Sequence, residues 1–477
     1  MTNSDSPAET ASENPPTIDV AIVGSGPSGY YAAAALLKSD QVEARVDVFD
    51  RLPTPFGLVR GGVAPDHQKI KNVTRVYERT ASDERCRFFG NVRVGSDVAL
   101  SELQAAYHAV ILAVGNESDR KLGIDGEDLD GVHSATEFVG WYNGHPDFQD
   151  REFDFASAKR VAVVGNGNVA MDVARILARA PEDLVSTDIT QRALDALESS
   201  NVEEVVVLGR RGPAQAAFSP KEIKEIGTLD NVHLLIDPDD MEMSAEIEAW
   251  LENEPRSSLK NVEYLREVAG APQEGDTTVH CRFLVSPTAF HGEGGQLTRV
   301  TIEHNELYMD DSGTPRPRGT GSTEELDVDL VFKAVGYRGV PLEGAPFDDW
   351  RGIVPNREGR VVESDDGAHV PGLYVVGWAK RGPSGLIGTN GPDSQATVAM
   401  VLEDAPSGLP EPSSSPDALL AELRDRGVFV TDFNDWRRLD GEEVRRGEDK
   451  GKVREKICRV DEMLDVIREL RSSTVGD

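Results

Sequence analysis

The stretch IDVAIVGSGPSGYYAAAALL, residues 18–37, decides the fold. Ile18–Val23 is rich in β-branched residues and reads as a strand, and the alanine-rich run to Leu37 reads as a helix. Between them lies Gly24-Ser25-Gly26-Pro27-Ser28-Gly29. Gly24 permits the tight turn, Gly26 lets the backbone approach a pyrophosphate, and Gly29 lets helix and strand pack closely. The helix N-terminus then faces the phosphates with its positive dipole end. Arg45–Phe49 reads as the next strand and closes at Asp50, where a carboxylate can accept ribose hydroxyls. Strand, glycine turn, helix, strand and acid together form one dinucleotide-binding unit.

A second unit begins at VAVVGNGNVAMDVARILARA, residues 161–180. Gly165-Asn166-Gly167-Asn168-Val169-Ala170 is the alanine variant of the same turn, followed by a helix from Val169 to Ala180. Its second strand, Val205–Leu208, ends in Gly209-Arg210-Arg211 and has no carboxylate there. Two guanidiniums can pair with a 2′-phosphate that an acid would repel, so NADP is expected here rather than NAD. Later apolar strands, Val328–Val335 and Gly372–Val376, again close at glycines, Gly336 and Gly377.

The fold class expected is therefore α/β, with two Rossmann-like dinucleotide-binding domains and the second inserted into the first. The first domain spans 18–115 and 336–477, with a Pro- and Ser-rich linker at 405–416; the second spans 116–335. Pro181–Asn201 reads as an inserted helical segment. The C-terminal part, including Val453–Leu470, reads as a mixture of helical and strand-like pieces. Residues 1–17 are polar and acidic and read as a disordered tail, not a signal peptide.

Composition narrows the function. Cys86, Cys281 and Cys458 are far apart in sequence, which excludes a CxxC redox pair and leaves no metal-ligand cluster. No metal is expected, and a reducing, cytoplasmic compartment is. With 84 acidic and 50 basic residues the net charge is −34, a surface that repels nucleic acid and anionic membranes. Only 13 of the basic residues are Lys. Two origins stay open: adaptation to a salt-rich cytoplasm, or an ordinary acidic enzyme of a GC-rich genome.

Two further stretches are more specific than the glycine turns. PTPFGLVRGGVAPDHQKIKNV, from Pro53, is a Pro- and Gly-rich loop ending in Asp66-His67 at a helix start. VVGWAKRGPSGLIGTN, from Val375, puts Trp378 where many two-nucleotide flavoproteins place an Asp. With GSGPSGYYAA, RFFGNVRVG, VVGNGNVAMDVARIL and GRRGPAQAAFSPKEIKEI, these stretches resemble the adrenodoxin reductase type of ferredoxin–NADP reductase, in its bacterial branch.

That resemblance implies an FAD-dependent oxidoreductase that moves electrons between NADPH and a ferredoxin-like iron–sulfur protein. Gly24, Gly26, Ser28, Gly29, Asp50, Leu58, Val94, Trp378, Gly385, Leu386 and Ile387 would contact FAD. Asn166, Gly167, Asn168, Val169, Arg210, Arg211 and Glu222 would hold NADP(H), with Arg120 and Gly385 assisting. His67 and Glu225 match the family's active-site pair. Asp50 stands where the family often carries Glu. A monomer is implied. A diaphorase-like NADPH oxidoreductase with a quinone or other small acceptor is the alternative. An acidic carrier meeting an acidic chain would need a basic docking patch, for which Lys221, Lys224, Arg316, Arg318, Arg338, Lys380 and Arg381 are candidates.

Overall fold

In a computed structural model of the chain, residues 15–116, 118–269, 271, 275–406 and 408–473 are described. They form two α/β units, each with its own sheet and core. The first takes the described residues up to Gly57, Val73–Asn116 and Gly339–Trp436. The second takes Leu58–Asn72, the described residues of 117–338, and those from Arg437 onward.

The sheet of the first unit runs in the order Asn356–Arg357, Arg360–Val362, His369–Val375, Ala109–Leu112, Thr17–Val23, Glu43–Phe49, Cys86–Phe89. The last five strands are parallel. Thr17–Val23 is flanked on both sides, and all of Ile18–Val23 is buried. This is why the strand reads as an apolar run rather than an alternation. Helix Pro27–Leu37 links it to Glu43–Phe49, as the glycine turn requires. Phe49, Val94, Leu103, Tyr107 and Val375 share one core of this unit.

The sheet of the second unit is parallel throughout: Val132–Ser134, Leu330–Lys333, Arg160–Val164, Glu204–Leu208, Thr277–Arg282, Val232–Ile236. Phe138, Phe155, Met171, Leu265 and Phe332 anchor its main core. The inserted segment after Pro181 is a short 3-10 turn and helix Gln191–Glu198, whose Leu194 and Leu197 join that core. Three antiparallel strands, Val285–Glu293, Gln296–Met309 and Pro315–Asp327, were not anticipated.

Two expectations are corrected. The tail is described only from Pro15, and Thr17 already pairs with Glu43 in the sheet; residues 1–14 lie outside the described residues. The described residues of 405–416 connect two helices of the first unit, and the Ser414 N–H donates to the Ala105 carbonyl at 2.9 Å. Residues 437–473 belong to the second unit, not the first. Buried ion pairs account for that placement. Arg60 forms two bonds to the fully buried Glu443, at 2.8 and 2.6 Å. Lys71 and Lys456 share Asp188, at 2.7 and 2.9 Å. The C-terminal piece carries helices Phe433–Glu448 and Val460–Ser473, and no strand among its described residues. No helix among the described residues is long and apolar enough to cross a membrane.

Candidate active site

In the first unit the strand end, turn and helix start of residues 23–29 adopt one fixed shape. Gly24 has φ +110°, and a methyl on it would come within 2.4 Å of the Ala113 carbonyl oxygen. A methyl on Gly29 would lie 2.1 Å from the Gly24 carbonyl oxygen. Gly26, in contrast, faces open space, and no side chain caps the helix it begins. The helix N–H groups therefore point at room for an anion.

Asp50 does more than expected. One carboxylate oxygen accepts the N–H of Ser25 at 3.0 Å and the Ser25 hydroxyl as well. The other accepts the Leu52 N–H at 3.0 Å. Asp50 thus clamps the glycine turn from the second strand, and each oxygen has two lone pairs, so one acceptor position remains on Oδ1.

Ser28 is buried, and its hydroxyl lies 2.6 Å from where a Gly377 Cβ would stand. Gly377 in turn donates its N–H to Asp393 at 2.6 Å. Asp393 reaches this strand-end glycine from helix Asn390–Asp404. Asp393 also pairs with Lys380 at 3.1 Å and faces Arg381 at 3.7 Å. Trp378 opens the short helix beside it and is half-buried. Val94 is buried, Gly385 is exposed, and Leu386 is 65 % exposed, large for an apolar side chain. Leu58 belongs to the second unit.

The second unit repeats the cradle. Gly165 has φ +127°, a methyl there would meet the Ala334 carbonyl at 2.4 Å, and Gly167 faces open space. Ala170 is fully buried, as close helix–strand packing demands. Asn168 anchors the next wall by accepting the Ser219 N–H at 2.8 Å. The Asn166 Nδ2 and both amide atoms of Gln215 are buried without a hydrogen-bond partner among the described residues. Buried amides are normally satisfied, so these mark a place where a polar ligand completes the bonding. Arg210 is exposed and Arg211 half-buried, and among the described residues neither guanidinium has a carboxylate partner. Burial lowers the Arg211 pKa, and the charges of Arg210 and Arg316 lower it further. Arg120 is exposed, its N–H bonded to the Gly336 carbonyl at 3.1 Å.

His67 and Glu225 do come together, with Nε2 2.7 Å from Oε2. His67 is also 3.8 Å from Glu222 and 3.9 Å from Asp172. The group that holds this acidic cluster was not foreseen. Arg175, 1 % exposed, bonds Asp66 at 2.7 and 3.0 Å, Asp172 at 2.7 Å and Glu222 at 3.0 Å. Its signal was available: it sits with Met171, Ala174 and Ala178 on one buried stripe of helix Asn168–Ala178, where an arginine needs acids. Asp393 and Gln215 carried no comparable local signal.

Burial pushes the Asp172 and Glu222 carboxyls up, and for Glu222 the Asp172 charge adds to it. Glu225 goes the other way. Burial alone would raise it, but the bonds from His67 and Lys221 outweigh that. The ligand atoms of His67, Glu222 and Glu225 lie within 4.8 Å of one another, the spread of a metal site. Arg175 and Lys221 already supply cations to those carboxylates.

The cysteines offer no redox pair: all three are free. Burial raises the Cys86 and Cys281 thiols to about 12. The candidate docking cations are largely engaged. Lys221 pairs with Glu225, Arg316 with Asp310, Arg318 with Glu306, and Lys224 lies over the Tyr264 ring.

Residues 18–212 match the family model described as pyridine nucleotide-disulphide oxidoreductase. The chain is 44 % identical over 453 residues to NADPH-ferredoxin reductase FprA of Mycobacterium leprae, covering 93 % of this chain and 97 % of that one. It is 43 % identical over 462 residues to the mitochondrial NADPH:adrenodoxin oxidoreductase of Homo sapiens, covering 94 % and 91 %. The chain belongs to the adrenodoxin reductase type of ferredoxin–NADP reductases. A solved structure of this family, Mycobacterium tuberculosis FprA in complex with NADPH, superposes with a TM-score of 0.88 at 43 % identity, covering 94 % and 99 %. The family's two nucleotides fit the residues present. Gly26 leaves space at an uncapped helix start in one unit. Orphaned amides and two carboxylate-free guanidiniums line the other.

Proposed function

We propose that the chain carries electrons between NADPH and a ferredoxin-like iron–sulfur protein, with FAD held in the first unit and NADP(H) in the second. One observation carries the division of labour: Asp50 closes the first cradle, whereas Arg210 and Arg211 close the second with no carboxylate partner among the described residues. A bound FAD supplies what no side chain here can, acceptance of a hydride and release of electrons one at a time.

The residues position and insulate. The Pro27–Leu37 helix start and the open face of Gly26 receive a pyrophosphate. The free acceptor position on Asp50 takes a ribose hydroxyl. Ser28, Val94, Trp378 and the loop Gly385, Leu386, Ile387 would border the same nucleotide, to which the exposed Leu386 offers an apolar surface. In the second unit Asn166–Val169 receive the other pyrophosphate, and Gln215 and Asn166 regain partners. Arg120, Arg210, Arg211 and Glu222 complete that nucleotide's site. His67 Nε2 and Glu225 Oε2 share a hydrogen bond of 2.7 Å, with Glu225 partly open to solvent. They tune protonation at the reacting edge and are not nucleophiles.

Net charge of −34 and three free cysteines support a cytoplasmic protein that binds no nucleic acid, and we place it there as a monomer. The test is anaerobic addition of NADPH to the flavin-loaded protein, followed by cytochrome c reduction with and without the organism's own ferredoxins. We expect loss of the flavin band at about 450 nm and stimulation by a ferredoxin. Flavin bleaching without stimulation by any ferredoxin would replace this reading with the small-molecule diaphorase.

A further inference from the structure

His67, Glu222 and Glu225 are arranged as the protein ligands of a dication would be. Glu222 and Glu225 stand one turn apart on helix Pro220–Ile226, so their side chains are neighbours on one face. His67 meets them from the start of helix Gln68–Lys71, in the same unit. Its Nε2 lies 2.7 Å from Glu225 Oε2 and 3.8 Å from Glu222 Oε2. The ligand atoms of a tetrahedral zinc ion stand about 3.4 Å apart, between those two distances. His67 and Glu222 are buried, whereas the Glu225 side chain is 32 % exposed and leaves a way in from solvent. A water completes the fourth position.

Outer partners are in place as well. His67 Nδ1 faces Asp172 Oδ1 at 3.9 Å. A metal-bound histidine turns its other nitrogen to such a carboxylate, which fixes the ring and its tautomer. Arg175 orients Asp172 at 2.7 Å and Glu222 at 3.0 Å. The cations nearby do not close the site. Lys221 bonds Glu225 Oε1, not the oxygen that bonds His67, and its own side chain is 59 % exposed. Asp66, Asp172, Glu222 and Glu225 bring four negative charges against three on Arg175, Arg179 and Lys221. Arg175 shares Glu222 with the site and weakens its hold, so the ion is exchangeable and not a permanent part of the fold.

We propose that His67, Glu222 and Glu225 form an exchangeable site for a dication of the zinc class, and that its occupancy inhibits the enzyme. The ion takes the nitrogen and the oxygen that otherwise share a hydrogen bond, and the ring keeps its proton on Nδ1, facing Asp172. Binding rests on these residues alone; inhibition rests also on the reading that His67 and Glu225 act at the reacting edge. Calorimetric titration of Zn²⁺ into the flavin-loaded protein, without NADPH, tests the first part. His67→Gln and Glu225→Gln should each weaken binding at least about tenfold. Lys221→Gln removes a competing cation and should tighten it, by up to about fivefold. Mg²⁺, which takes oxygen ligands and keeps its waters, should not compete. Undiminished binding in His67→Gln, or a loss in Cys458→Ser that places the ion on a thiol, would overturn the site. Melting curves check the fold of each variant, and the exposed Lys221 keeps the test decisive should a buried variant not fold. Zn²⁺ should also slow NADPH-driven cytochrome c reduction, with recovery on adding EDTA. Binding of the expected pattern without inhibition would overturn the inhibitory role, and the reading of the reacting edge with it.

Discussion

Arg175 is the side chain on which the local chemistry turns. A guanidinium has five donors in a rigid fork, and here they reach three carboxylates from three segments. Asp66 precedes His67, Asp172 shares the arginine's helix, and Glu222 lies one helical turn before Glu225. Without Arg175, Asp172 and Glu222 would lose their bonded guanidinium, and Asp66 would keep only Arg179 at 2.7 Å. Arg175→Met keeps the volume and removes the charge. It should cost about 3–5 kcal/mol in urea unfolding, the scale for orphaning buried ions. It should also raise the already elevated Glu222 and Asp172 carboxyls, and a carboxyl titration followed by infrared spectroscopy would register that. A loss under about 1 kcal/mol would mean that the cluster is wetter than its burial suggests.

At the scale of elements, the three pieces of the second unit are joined by charge. Lys71 follows His67 by one turn, Asp188 lies in the inserted segment, and Lys456 lies in the C-terminal piece. One carboxylate serves two buried ammoniums, so the pair of variants Asp188→Asn and Lys71→Met should behave unequally. The first leaves two buried cations without an anion, at a cost of about 3–5 kcal/mol. The second leaves a one-to-one pair and should be far milder. Burial and the neighbouring Lys456 bring the Lys71 amine from 10.5 to about 7, although Asp188 opposes this. Between those two values the unfolded chain holds a proton that the folded chain has lost. Stability from this group therefore rises with pH across that window, by up to about 1.4 kcal/mol per pH unit. Lys71→Met should flatten that slope in denaturation midpoints measured from pH 7 upward; an unchanged slope would refute the shift.

The same clamp explains what local pattern could reveal. Strand–glycine–helix units were legible because their signals are contiguous: an apolar run, a turn that only glycine tolerates at Gly24 and Gly165, and an alanine-containing helical run. Asp50, Arg210 and Arg211 were legible because they lie at fixed offsets from those turns. The attachment of the C-terminal piece was not, since Arg60 and Glu443 are 383 positions apart and meet only after folding. Asp393 escaped notice because it reaches the Gly377 N–H from another helix, 16 positions further on. The antiparallel strands escaped because their alternation is interrupted between Glu303 and Asn305 and most of Pro315–Asp327 faces solvent.

For the whole molecule the dominant quantity is the charge of −34. Exposed ion pairs such as Lys159–Glu203 offset little of it, since such pairs contribute about 0–1 kcal/mol each. Self-repulsion is screened over about 10 Å at 0.1 M salt and over shorter distances above that. If the surface is a salt adaptation, the melting temperature and the activity should climb with KCl towards molar concentrations. A protein indifferent to KCl over that range is an ordinary acidic enzyme.

The interleaving of the two units has a consequence for how the chain is made. The polypeptide passes from one unit to the other five times. When synthesis has reached Arg338, all six parallel strands of the second sheet exist, from Val132–Ser134 to Leu330–Lys333. The first sheet still lacks His369–Val375, the parallel neighbour of Ala109–Leu112. The second sheet can thus consolidate on the ribosome while the opening strands of the chain wait, with an unpaired and sticky edge. Glu443 and Lys456 emerge later still and pair with Arg60 and Asp188, so residues made far apart in time are joined only then.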